Sequence, residues 1–254
     1  MESERVCNEW SKTMKCIILA AGYATRMYPL TENFPKPLLE VGGKTILDWL
    51  VDDLSPVIEQ FILISNHKYA GHFETWAAGK PVVVVDDGTE TNETRLGAAK
   101  DIQFAVEKLG LVEDDLLVIA GDNVLDFSLR TLVEYAKAND TSCTMRYRED
   151  DETKLRRAGV SEVDGERLIS FEEKPAEPKS HWCTPPFYFY KAADVGKISE
   201  AIEDGCGTDA PGSLVAWMCK RSPMHSMVMP GKRYDIGNLE SYRIIKDSYK
   251  GPLI

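Results

Sequence analysis

No stretch of this 254-residue chain is apolar for long enough to cross a bilayer, and neither a glycine/serine or proline linker nor a repeating period interrupts it. A single domain is expected over residues 14–254, and no membrane partner. The six cysteines, at 7, 16, 143, 183, 206 and 219, include no CxxC pair, and Cys16 and Cys143 fall inside strand-like runs. That pattern reads as a reduced, cytoplasmic protein without structural zinc. The four histidines, 67, 72, 181 and 225, have neither HxH nor HxxxH spacing, which argues against a histidine-bound transition metal. No basic tract offsets the formal net charge of −11, so nucleic acid and anionic membrane surfaces are poor partners. Also missing are the GxxxxGK[ST] of a Walker loop, the GxGxxG of a dinucleotide fold, the GxSxG of a hydrolase nucleophile and the DxD of a metal-dependent glycosyltransferase. The adjacent acids Asp86-Asp87 and Asp150-Asp151 are not DxD.

What is present suits a sizeable core, with 43% hydrophobic residues. The first thirteen residues, MESERVCNEWSKT, read as a loose polar leader. Strand-like runs follow at Cys16 to Ala21, Phe61 to Ser65, Val82 to Val85 and Leu116 to Ala120. They alternate with helical patterns at Ile46 to Leu54, Phe73 to Ala78, Ala98 to Leu109 and Leu129 to Ala138. Alternation of this kind predicts a mostly parallel α/β sheet flanked by helices, with ligands beyond the carboxyl ends of its strands. The second half is richer in strand signals, with TSCTMRYR, SEVDGERLISFEEKP and PFYFY. A hairpin is predicted over Val163 to Leu168 and a small β-rich lobe above the sheet. Helices are expected at Val195 to Glu203, Ser213 to Cys219 and Leu239 to Ser248.

The densest chemistry lies in IILAAGYATRMYPLTENFPKP. An apolar run ending at Leu19 meets Ala20, Ala21 and Gly22, small residues that let a backbone approach a ligand. Thr25 can hydrogen-bond, Arg26 can fork two donors onto phosphate oxygens, and Pro35 and Pro37 stiffen the segment presenting Lys36. This arrangement suits a nucleoside triphosphate. Either cation alone reads as a solvated side chain; the combined spacing is what carries the site. Farther on, LLVIAGDNVLDF sets Asp122 at a strand end where a hard cation and phosphate can meet, although an isolated Gly-Asp there also serves as a turn or cap. GKRYDIGNLESY places Asp235 ahead of the last helix.

The segment GYATRMYPLTENFPKPLLEVGGKT resembles the signature of the sugar-phosphate nucleotidyltransferases, or nucleotide-sugar pyrophosphorylases, GxGTRxxPxTxxxPKPxxxxxxKP. Ala24 replaces the second glycine and Thr45 the last proline. SFEEKPAEPKS is similar to that family's EKP segment, close to the thymidylyltransferases, and YDIG to its second metal motif. The resemblance runs from Met14 to Tyr249 and implies a GT-A-like, Rossmann-like fold. It further implies nucleotidyl transfer from a nucleoside triphosphate, pyrimidine favoured (UTP, dTTP or CTP), to a sugar 1-phosphate or similar phosphomonoester.

By that resemblance Asp122 and Asp235 hold Mg²⁺, and Arg26 and Lys36 act in catalysis. Leu19, Ala20, Ala21, Gly22, Thr25, Arg26 and Gly97 bind the nucleotide, while Gly159, Glu173 and Lys174 bind the sugar phosphate. Homo-oligomers occur among such enzymes. A catalytically silent, ligand-binding regulatory homologue is the alternative, disfavoured because the Arg, Lys and Asp positions are all kept. Two departures bear on substrates. The loop DDGTETNETRLGAAKDI differs from QPxPxGLAQA, and Pro185-Pro186 stand where a threonine and a glycine usually meet the sugar, each proline removing a backbone donor. An unusual phosphorylated acceptor is expected, with Trp182 and Tyr188 as a stacking surface unless they belong to the core.

Overall fold

The computed structural model describes residues 14–234 and 236–252; the expected leader over residues 1–13 and Asp235 lie outside these. The first part of the chain carries β1 (Met14–Leu19), β2 (Glu40–Val41), β3 (Lys44–Thr45), β4 (Gln60–Ser65), β5 (Val82–Asp86), β6 (Asp115–Ala120) and β7 (Val124–Leu125). Helices α1 (Ile46–Leu54), α2 (His67–Ala77), α3 (Ala98–Leu109) and α4 (Arg130–Asn139) are set between and after them. The second part adds β8 (Ser142–Arg148), β9 (Gly159–Asp164), β10 (Arg167–Glu173), β11 (Trp182–Thr184), β12 (Phe187–Tyr190), β13 (Met224–Val228) and β14 (Arg233–Tyr234). Its helices are α5 (Glu152–Leu155), α6 (Ala192–Val195), α7 (Lys197–Glu203), α8 (Gly212–Met218) and α9 (Leu239–Lys246).

Among the described residues, ten strands join in one sheet, in the order β11-β9-β10-β13-β8-β12-β6-β1-β4-β5. The end formed by β6, β1, β4 and β5 is parallel, as the alternation of strand and helix predicts. The β-rich second half, expected as a small lobe, continues that sheet through antiparallel β12. The expectation of a mostly parallel sheet therefore holds for this half, and the remainder is mixed. Asp164 pairs with Arg167 across Gly165, whose positive φ permits the predicted hairpin.

β1, β4 and β6 are buried on both faces, which explains why they read as continuous apolar runs, while the edge strand β5 is only partly covered. Cys16 and Ile18 of β1 pack into a core with α1 residues Ile46, Leu47 and Leu50. Ile17 points the other way, into a core shared with Ile102 and Val106 of α3. The register Leu19↔Ala120, Leu19↔Ile64 and Ser65↔Asp86 levels the strand ends. The turn after β1, the loop after β5 and the Gly121–Asp122 turn after β6 consequently emerge along one rim, where open α/β sheets hold ligands.

Candidate active site

A cavity of about 460 Å³ opens on that rim, lined by Leu19, Ala20, Gly22, Thr25 and Arg26 from the first turn and by Lys36 and Asp122. Ile236 and Gly237, which follow Asp235, complete it. The first turn is short because its residues are small, and it is held in place by side chains from elsewhere. The Asn66 amide donates to the Ala21 carbonyl (2.9 Å), the Thr31 hydroxyl to the Ala24 carbonyl (2.8 Å), and the Tyr23 hydroxyl to the Thr89 carbonyl (3.2 Å). Asn66 and Thr31 are wholly buried, so the donors cost little unless these bonds break. Ala24 adopts the left-handed conformation (φ 47°, ψ 40°), the geometry a glycine would take without strain. The turn thus survives the replacement of that glycine. Thr25 and Arg26 then form one turn of 3₁₀ helix, with Arg26 exposed over the cavity.

Lys36 begins another 3₁₀ turn, entered from the extended Pro35. Its stem is buried, and its amine reaches Asp122 Oδ2 at 2.6 Å. Burial works to raise the Asp122 carboxyl, but Lys36, and behind it Arg233, hold it below the usual carboxylate range. Asp122 is therefore an anion with 43% of its side chain open to the cavity. Its second oxygen can accept from a ligand or a cation.

Among the described residues, the other sequence-predicted ones do not line this cavity. Ala21 is buried beneath it, its carbonyl taken by Asn66. Gly97 caps α3 at φ 93°, and a Cβ there would overlap the Thr208 carbonyl. The neighbouring N–H groups of Ala98 and Ala99 donate to the Asp209 and Thr208 carbonyls (3.1 and 3.0 Å). Gly97 thus docks the segment leading into α3 onto residues 208–209. Gly159 lies against the Phe171 ring, which leaves no room for a Cβ. Glu173 is drawn toward the first residue of α8; burial pushes its carboxyl up, against the opposing pull of Lys174 and the Gly212 N–H. Of the two aromatics considered for stacking, Tyr188 is buried in the core, and Trp182 is half-buried with the Arg146 guanidinium 5.1 Å from its ring centroid. The stacking surface is therefore not made by Tyr188.

Lys174 lies at φ 48° and contributes to a second cavity, of about 850 Å³, which also touches Arg26. Its amine is 3.6 Å from Asp209 Oδ2, while Arg95 meets Asp209 Oδ1 at 2.7 Å. Asp209, which sequence reasoning missed, joins the EKP segment to the loop after β5. Arg95 foremost holds its carboxyl below the ordinary range. A lone Asp in GTDAPG carries no signal of this role. Within that same loop region, buried Asp101 of α3 faces Asp87. Burial, then the Asp87 charge, raises the Asp101 carboxyl to about 7. Among the described residues, Asp87 Oδ2 and Asp101 Oδ1 otherwise lack partners, and a proton on Asp101 supplies the missing donor.

Residues 15–250 match the Nucleotidyl transferase family. A candidate mannose-1-phosphate guanyltransferase of Sulfolobus acidocaldarius is 32% identical over 189 residues, 73% of this chain and 50% of the relative. The bifunctional protein GlmU of Methanococcus aeolicus is 31% identical over 195 residues, 75% of this chain and 42% of its own. The match thus spans about half the length of these curated relatives. Among solved structures, a candidate glucose-1-phosphate thymidylyltransferase from Bacillus anthracis, in complex with sucrose, superposes with a TM-score of 0.76 at 24% identity. That superposition covers 95% of this chain and 98% of the other. A UDP-glucose pyrophosphorylase in complex with UDP-glucose gives 0.75 at 18% identity, over 93% and 98%. At these identities the structures establish the shared fold.

Proposed function

The chain belongs to the nucleotidyl transferase family, and from that premise we propose that it moves a nucleotidyl group from a nucleoside triphosphate to a sugar 1-phosphate or similar phosphomonoester. Pyrophosphate leaves and a nucleotide-activated product remains. The observation that carries the reading is the Lys36–Asp122 pair within a rim cavity overhung by Arg26.

Both reactants are anions, so positioning and charge neutralisation dominate what the protein must do. The backbone of Leu19 to Gly22 flanks the nucleotide, and Arg26 draws on the departing pyrophosphate. Lys36 and Lys174 hold the attacking phosphate in line with the α-phosphorus. A phosphate oxygen forms the new P–O bond as the bond to pyrophosphate breaks. A phosphate monoester is already a nucleophile near neutral pH, and no general base is required. Among the described residues no cluster of three metal-ligating side chains occurs. Asp122 nonetheless fits Mg²⁺, being an ionised hard-oxygen donor open to the cavity, and Mg²⁺ takes much of its shell from phosphate and water. We assign the ion to Asp122 and Asp235; when bound it would polarise the α-phosphate and neutralise its charge.

A pyrimidine triphosphate, a cytoplasmic setting and self-assembly complete the proposal. Among the described residues no helix is long and apolar enough to cross a membrane. The test is pyrophosphate release from a matrix of CTP, UTP, dTTP, GTP and ATP against a panel of sugar 1-phosphates with Mg²⁺. Turnover of at least one pair is expected. Tight binding of both ligands without pyrophosphate release would instead identify a silent binding homologue.

A further inference from the structure

The second cavity is unusual in charge. Seven of its thirteen lining residues are Lys or Arg and one is acidic, in a chain whose 41 acidic residues outnumber 30 basic ones. The cations come from separated segments: Arg26 after β1, Lys154 and Arg157 at and after α5, Lys174 at the end of β10, and Lys232 and Arg233 before and in β14. Some are internally balanced. Lys154 lies 3.4 Å from Glu149, Arg156 is 3.0 Å from Glu152, and Lys174 faces Asp209. Arg157, Lys232 and Arg233 form no ion pair with a carboxylate among the described residues. Arg233 is half-buried and donates to the Asn123 side-chain oxygen at 3.3 Å.

Folding has gathered like charges from four chain segments into one concavity, an arrangement that repels itself until an anion enters. At about 850 Å³ the cavity accommodates a ligand the size of a sugar phosphate. One phosphate is matched by Lys174, with Arg26 at the shared border of the two cavities. Three cations then remain, none of them lining the Lys36–Asp122 cavity, although the Arg233 charge also acts on Asp122.

We propose that the acceptor is doubly anionic: a phosphomonoester whose body carries a second anionic group, a carboxylate or a second phosphate, bound by Arg157, Lys232 and Arg233. Tyr147, Tyr234 and Met229 provide the less polar walls of the same cavity. The inference rests on the transferase reading for the word acceptor, and on the cavity alone for the ligand's charge.

The experiment uses the full chain with Mg²⁺ and acceptors in matched pairs. Glucose 1-phosphate is compared with glucuronic acid 1-phosphate and with glucose 1,6-bisphosphate, and glycerol 3-phosphate with 3-phosphoglycerate. Pyrophosphate release gives kcat/KM and titration calorimetry gives Kd. The doubly anionic member of a pair should bind at least tenfold more tightly. Arg157→Ala and Lys232→Ala should lower its affinity at least tenfold more than that of its singly anionic partner, with the carboxylate and bisphosphate arms showing which group is preferred. Equal binding within every pair, or equal losses in the variants, overturns the inference even if pyrophosphate is released. Selective, variant-sensitive binding without pyrophosphate release upholds the cavity's charge preference and overturns the transferase reading instead. Loss of the thermal transition in a variant is resolved with Arg157→Gln and Lys232→Gln.

Discussion

Lys36 Nζ and Asp122 Oδ2 meet at 2.6 Å across 86 residues of sequence, and they are the contact that turns a strand-end motif into a site. Lys36 is nearly buried while Asp122 stays open to the cavity, so the pair is anchored on one side and available on the other. Solvent reaching Asp122 keeps the pair's worth near that of a surface bridge, about 1 kcal/mol. The depressed Asp122 carboxyl sets the pH window. Its stabilisation is present above the unfolded pKa, near 4, and is lost as pH falls through the lower folded value. The stability gap between wild type and Asp122→Asn should therefore be constant from pH 5 to 8 and close below about pH 4. Urea midpoints at each pH check this; a gap that closes between pH 5 and 8 would mean the carboxyl is not held down.

Asp101 behaves in the opposite sense. Its carboxyl is raised to about 7 by burial and by Asp87, so the native state prefers it protonated while the unfolded chain ionises it near 4. Its contribution is complete below the unfolded pKa and is lost as pH rises toward 7. Asp101→Asn keeps a donor toward Asp87 without ionising. The variant should match wild type near pH 4 and exceed it at pH 8, by at most about 4 kcal/mol. Equal pH profiles for the two proteins would contradict the pairing.

Gly159 has no space for a side chain because the Phe171 ring fills it. Gly159→Ala should cost about 1–3 kcal/mol through overpacking. Adding Phe171→Leu, itself destabilising, should make the alanine at 159 far less costly than it is beside Phe171. Thermal unfolding of the four-member cycle measures the coupling. Simple additivity would show that the glycine is required for something other than this ring.

Asp209 sits between Lys174 and Arg95 and is itself exposed. Asp209→Asn should change stability by less than about 1 kcal/mol, as exposed ion pairs do. With Lys174 released, the KM of the acceptor should shift several-fold while kcat moves little. A change confined to kcat would place Asp209 elsewhere in the chemistry.

The parts legible in the sequence were those whose physics is local. Apolar runs marked β1, β4 and β6, and the pattern from Ala98 to Leu109 gave α3 to the residue because Gly97 and Gly110 bracket it. α2 begins at His67, six residues before the periodic pattern suggests, because the Asn66 side chain accepts from the Tyr69 N–H and caps a weakly apolar start. Leu19, Ala20, Gly22, Thr25, Arg26 and Lys36 could be read as one site because they are close in sequence, and Asp122 because it ends an apolar strand. Asp209, the Asp87–Asp101 pair and the basic cavity were not legible. Each depends on segments brought together by tertiary packing, and none leaves a spacing pattern in the chain.

The most direct measurement is steady-state pyrophosphate release by Asp122→Asn, with a triphosphate and acceptor that the wild-type chain turns over, alongside its thermal unfolding. A folded protein slowed about a thousandfold is expected, equivalent to about 4 kcal/mol of lost transition-state stabilisation. A folded variant that releases pyrophosphate at a near-normal rate would contradict it.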